Sequence, residues 1–241
     1  MAPPSGDDDR ILTYGDSTVV RSDLSILCGP HYLNDRLIHF FFSHLAVSCS
    51  YPDDILLLRD KALVLFPVND NPDVNLAEGG SHWSLLICHV PSREFVHHDS
   101  SGCLNSVHAY KLYQLVQHFV GDVQFGYHEG PIPRQTNGYD CGLYVMAIAR
   151  CVCEWYCKVK NNGSADGKEK WFDVLREQLN GDKVHELRGE LLSLVLKLTQ
   201  QNDLKKRGHV KLRVFQELIN AIKFLTACVR KRKLEEKKLK P

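Results

Sequence analysis

Residues 135–157 read QTNGYDCGLYVMAIARCVCEWYC, a polar turn that passes directly into a long apolar run. The run predicts a helix from Cys141 to about Lys158. Its first residue is a cysteine between an acid and a glycine. Cysteine is usually an inert core residue. At the start of a helix, however, the unsatisfied N–H groups and the positive pole stabilise a thiolate. Cys141 is therefore a candidate nucleophile, and the rest of the chain has to supply its partners.

The chain has 241 residues, enough for one large domain or a domain with an appendage. With 44% hydrophobic and 24% charged residues, its composition is that of an ordinary globular protein. A net charge of +1 favours neither nucleic acid nor a membrane surface as a partner. The opening MAPPSGDDDR lacks the basic and apolar regions of a signal peptide. No apolar run approaches the roughly 20 residues of a spanning helix. A cytoplasmic or nuclear location is expected. Nine cysteines, an odd number without a secretion signal, argue against a disulfide framework. Cys151, Cys153 and Cys157 have no matching second half of a zinc site. Cys153 and Cys157 share a helix face, and all three are read as core residues. His97 and His98 point to opposite faces of a strand and cannot readily share a metal. No metal or cofactor is expected.

Along the chain, residues 1–9 read as a disordered leader. ILTYGDSTVV and RSDLSIL suggest a short strand and a turn. Asn34 or Asp35 then caps a helix over RLIHFFFSHLAVS. ALVLFPV (62–68), HWSLLICHV (82–90) and REFVHHDS (93–100) are rich in strand formers, and the last two form a hairpin around PSR. A polar loop, NDNPDVNLAEGGS (69–81), separates the first two. Ser106 can cap a helix over VHAYKLYQLVQHF, and DVQFGYH is a candidate fourth strand. After a solvated linker (161–170) come two amphipathic helices, at about 170–179 and 184–200. Helices before, between and after a block of strands indicate an α+β domain over residues 10–200. Residues 201–241 form a basic tail with one amphipathic helix (about 212–229). The tail ends in charge, and its RKRK (230–233) reads either as a nuclear-import signal or as a solvated helix end.

A nucleophilic cysteine needs a base, and the base needs an orienting group. His82 begins one strand of the predicted hairpin and Asp99 ends the other, which places them side by side. The carboxylate would hold Nδ1–H of the imidazole and leave Nε2 facing the thiol. The geometry alone leaves open that both merely decorate strand ends. The backbone N–H of Cys141 and the side-chain amide of Gln135 could stabilise an oxyanion, although Gln135 also reads as a surface loop residue. Gly142 removes a side chain where a substrate backbone would approach.

The ordered set GGSHWSLL, HHDSS and PRQTNGYDCGLYV resembles the Ulp/sentrin-specific cysteine proteases, which process ubiquitin-like modifiers, over roughly residues 10–200. The resemblance implies a papain-like α+β fold with the triad in permuted order (His, Asp, Cys) and a central, mostly antiparallel sheet flanked by helices. It implies His82 as general base, Asp99 as its orienting group, Cys141 as nucleophile and Gln135 in the oxyanion hole. It also implies a narrow tunnel, roofed by aromatics, for the modifier's Gly-Gly tail. Trp83 matches one roof residue. The family's Trp-Leu-Asn-Asp stands here as Tyr32-Leu33-Asn34-Asp35. The loop before His82 and the stretch HDSSGCLNSVHA look most like the deneddylase branch, which acts on Nedd8/Rub.

The expectation is thus a monomeric thiol protease and isopeptidase for Nedd8/Rub and its conjugates, such as cullins. SUMO- or ubiquitin-directed chemistry, acetyl transfer by a related group and a silent modifier-binding module stand as alternatives. The loop at 69–81 is expected to be mobile in the free enzyme and to close over a bound tail. Its Asp70, Asp73 and Glu78, with Asp35 across the tunnel, are expected to pair with arginines of that tail.

Overall fold

A computed structural model describes residues 9–49, 62–73, 79–120, 123–161 and 170–206. The leader up to residue 8, most of the linker, the tail helix and the RKRK stretch lie outside the described residues. β1 (Arg10–Tyr14) and β2 (Ser17–Val20) form an antiparallel hairpin, followed by α1 (Arg21–Cys28). A strand and a turn were expected there. Gly15, at φ 59°, lets the chain reverse within two residues. Asp23 then accepts the Val20 N–H at 2.9 Å and starts the helix. α2 (Asp35–Ser48) follows, with Asn34 as its N-cap: Oδ1 accepts the Leu37 N–H at 3.1 Å.

The central sheet has four strands, β3 (Leu63–Asn69), β4 (Trp83–His89), β5 (Glu94–His98) and β6 (Gly126–Glu129), in that order. β3–β4 and β4–β5 are antiparallel. β6 lies parallel to β5, and α3 (Ser106–Val120) supplies the crossover that a parallel pair requires. Side-chain alternation splits the sheet into two faces. Val64, Val68, Leu86, Cys88 and Phe95 pack with Ala109 of α3 and with Phe125. Leu63, Leu65, Leu85, Ile87 and Val96 face the larger core, built with α2, α4 (Cys141–Asn161), α5 (Trp171–Gln178) and α6 (Gly181–Lys206). The architecture is the expected α+β one, with a mostly antiparallel sheet flanked by helices.

Every residue of α4 from Cys141 to Ala149 is buried, as an apolar helix requires. Farther along, burial is partial. Cys153 is buried, but Cys151 and Cys157 are half-buried, so the expectation of three core cysteines holds fully only for Cys153. The Cys157 thiol lies 3.3 Å from that of Cys49 at the end of α2. His97 and His98 diverge as strand neighbours should. His97 Nδ1 meets Glu129 at 2.7 Å, whereas His98 Nε2 accepts Trp171 Nε1–H at 3.2 Å.

Candidate active site

His82 lies one residue before β4 and Asp99 one residue after β5, so the antiparallel register brings them together. His82 Nε2 is 2.6 Å from Asp99 Oδ1. This reverses the expected assignment of the ring nitrogens. The imidazole presents Nε2 to the carboxylate, which leaves Nδ1 as the nitrogen for its second partner, the thiol of Cys141. His82 and Asp99 are each 4% exposed and Cys141 is 0% exposed. Burial by itself would lower the His82 pKa. The hydrogen bonds to Asp99 and Cys141, with the charges they bring, overcome this and raise it to about 9. Burial works against Asp99 in the same way. Its bonds to His82 and to the N–H groups of Asn105 and Ser101 prevail and hold its carboxyl below the usual range. At neutral pH the pair is imidazolium and carboxylate.

Residues outside the predicted triad hold this pair, and the sequence did not single out Asn105 among them. Asn105 is fully buried; its N–H donates to Asp99 Oδ2 at 2.9 Å. Its Nδ2 donates to the carbonyls of His82 at 3.1 Å and Val68 at 3.2 Å. One asparagine thus ties His82, Asp99 and β3 together. Asp70 accepts the N–H of His82 at 2.9 Å, the hydroxyl of Ser81 at 2.6 Å and the Ser81 N–H. Slight burial opposes these bonds, which nonetheless hold its carboxyl below the ordinary value. The expectation that Asp70 reads a substrate arginine is corrected: its oxygens face the backbone that leads into His82. Glu78 lies outside the described residues, as does the loop at 74–78. Gly80, at φ 80°, has no room for a Cβ, which would collide with Asn69 Oδ1.

Gln135 is fixed between the two ends of the site. Its Oε1 accepts the Ser100 hydroxyl at 2.6 Å, and its Nε2 donates to the Asn137 carbonyl at 2.7 Å. This bonding sets the amide orientation and leaves one N–H of Nε2 to donate elsewhere.

Beside His82 runs a slot of about 160 Å³, lined by Tyr32, Leu33, Asn34 and Asp35 on one side and by Gly79, Gly80 and Trp83 on the other. Trp83 Nε1 donates to the Leu33 carbonyl at 2.9 Å and bridges the two walls. Tyr32 is 51% exposed at the surface. The Asn34 amide has structural partners, since Nδ2 donates to buried Asp23 at 2.7 Å while Oδ1 caps α2. At Gly142 a Cβ would lie 3.0 Å from Leu33 Cβ, so the missing side chain permits the close approach of the slot wall to α4. A larger hollow of about 610 Å³, between α2, α4 and α6, touches none of His82, Asp99 and Cys141.

Residues 53–190 match the family model described as the Ulp1 protease family, C-terminal catalytic domain. The chain is 40% identical over 224 residues to "NEDD8-specific protease 1" of Arabidopsis thaliana, covering 82% of this chain and 97% of that protein. It is 33% identical over 177 residues to "Sentrin-specific protease 8" of Homo sapiens, covering 61% and 82% of the two chains. Among solved structures, a de-sumoylating protease superposes with a TM-score of 0.56 at 16% identity, over 87% of this chain and 97% of that one. The SUMO protease Ulp1, with its catalytic cysteine oxidised to a sulfenic acid, gives 0.54 at 19% identity over 80% and 89%. At these identities the superpositions speak to the fold.

Proposed function

The chain belongs to the Ulp1 protease family, and from that premise we propose that it is a thiol protease and isopeptidase cleaving after the C-terminal Gly-Gly of Nedd8/Rub. The observation that carries the choice of modifier is the 40% identity to a NEDD8-specific protease along nearly its whole length. Precursors of the modifier and its conjugates, cullins among them, are the substrates, and the enzyme works as a monomer in the cytoplasm or nucleus. Residues 10–200 supply the catalytic unit.

The geometry supports the following chemistry. With a pKa of about 9, His82 holds a proton at neutral pH and is hydrogen-bonded to Cys141, so the proton that the leaving group needs is already in place beside the sulfur. The slot runs past Trp83 to His82, the hydrogen-bond partner of Cys141, and a glycine-only tail suits so narrow a passage because it brings no Cβ. Sulfur attacks the carbonyl carbon. The oxyanion is met by the Cys141 N–H and the remaining Gln135 N–H. His82 gives its proton to the departing amine as the tetrahedral carbon collapses to a thioester. Water, deprotonated by His82, then releases the acid and returns the thiol proton. Asp99 keeps the ring oriented and its positive charge stabilised throughout.

Side-by-side cleavage of Nedd8/Rub-, SUMO- and ubiquitin-tail fluorogenic substrates tests this reading. Cleavage of the Nedd8/Rub tail above the others is expected, with no hydrolysis but retained modifier binding in Cys141→Ala. Preference for another tail would overturn the choice of modifier, and an active Cys141→Ala would overturn the mechanism.

A further inference from the structure

Arg188 sits on α6, remote in sequence from the reacting groups, yet it is 3% exposed and packed behind them. Its Nη2 donates to Asp140 Oδ1 at 2.8 Å and to the His31 carbonyl at 2.9 Å, and Nη1 donates to the Ile26 carbonyl at 2.9 Å. Its guanidinium carbon stands over the Tyr139 ring at 5.7 Å. Asp140 immediately precedes Cys141, His31 immediately precedes Tyr32, and Ile26 lines the slot. One buried cation therefore spans the start of the nucleophile's helix and a wall of the substrate passage.

Asp140 occupies the capping position of α4, where its carbonyl accepts the Tyr144 N–H at 3.0 Å. An aspartate in that position ordinarily turns its side chain back onto the N–H groups of the first turn. Here Arg188 holds Oδ1 while Asn137 Nδ2 holds Oδ2 at 2.8 Å. The carboxylate is drawn away from the helix start, which leaves the first-turn N–H groups to a developing oxyanion. Stability alone does not account for the arrangement, because a buried ion pair is commonly no better than apolar residues of equal volume.

The geometry points to Arg188 as a positioning residue: through Asp140 and the Ile26 and His31 carbonyls it sets the separation of slot and Cys141 and keeps the α4 N-terminus open. This inference rests on the protease reading above. Lysine keeps the charge but lacks the planar fork that serves three acceptors at once. A bound carbonyl misplaced by about 1 Å costs on the order of 10² in rate.

The test compares the full-length wild type with Arg188→Lys and Asp140→Asn. It measures kcat and KM on the modifier-tail substrate that the wild type cleaves, labelling of Cys141 by iodoacetamide, and the thermal melt. The expected result for Arg188→Lys is at least a tenfold fall in kcat/KM, carried mainly by kcat, with the labelling rate within twofold of wild type. The inference is overturned if kcat/KM stays within twofold, or if cleavage and labelling fall in equal proportion, the mark of a merely structural role. Should Arg188→Lys be unfolded at the assay temperature, Asp140→Asn decides: a tenfold loss of kcat supports the inference and unchanged kcat overturns it. A wild type that cleaves no tail overturns the protease reading and this inference together. A wild type that cleaves while both variants keep pace overturns the inference alone.

Discussion

At the residue scale, the roles of Gln135 and His82 lead to different measurements. Gln135 is held by Ser100 and Asn137, so its free N–H has a set direction before substrate arrives. Loss of one oxyanion donor costs about 10²–10³ in kcat. Gln135→Ala is expected to fall in that range with little change in KM; a change confined to KM would instead make Gln135 a binding residue. For His82, the folded pKa of about 9 lies above the ordinary 6.5. The folded protein therefore binds this proton more tightly than the unfolded chain. The resulting stabilisation is complete below about pH 6.5 and is lost as pH rises through about 9. Melts of the wild type between pH 6 and 10 should show that alkaline decline, and it should be reduced in His82→Gln. The kcat/KM of the wild type should fall over the same alkaline interval, because the imidazole must carry a proton to the leaving amine. A profile flat to pH 10 would contradict the assignment of His82 as acid.

At the scale of elements, the site lies where strand ends and helix starts meet. β4 and β5 bring His82 to Asp99, α4 opens on Cys141, and α2 opens beside the slot. Asn34 shows how one residue can serve both cap and site wall. Removing a side-chain N-cap costs about 0.5–2 kcal/mol. Asn34→Ala also removes a donor to Asp23, which is buried but keeps its ion pair with Arg36 at 3.0 Å. Urea unfolding of Asn34→Ala is expected to show a loss at the upper end of that capping range, about 2 kcal/mol. Unchanged stability would mean that the capping bond contributes nothing here. Asn34, at a predicted cap position just ahead of an apolar run, was legible as a cap. Asn105 was not, because its three bonds reach 6, 23 and 37 residues along the chain.

At the scale of the whole molecule, α6 packs against α1, α4 and β1. Its Asn202 Nδ2 donates to the Thr13 carbonyl at 3.1 Å, close to the helix end. Ending the chain after Lys206 leaves all of these described contacts in place. The shortened protein is expected to fold and to keep kcat/KM within twofold of the full chain. Insoluble or inactive protein would show that residues 207–241 belong to the catalytic unit.

The sequence by itself determined the local matters: which stretches are rich in strand formers, which apolar run becomes the long helix, and that Cys141 stands at its start. His82, Asp99 and Cys141 were also legible, since each lies at the end of a predicted element where hairpin geometry or helix polarity gives it a direction, whereas Gln135 stands in the loop before the helix. Tertiary structure decided the rest. It set which imidazole nitrogen meets the carboxylate, turned Asp70 onto the backbone leading into His82, and filled the space beside Gly142 with Leu33. It also brought Arg188 against Asp140 across 48 residues. Local patterns report a residue's own backbone and face, whereas a side chain's partner depends on how distant elements pack. That packing is the property no short window of sequence contains.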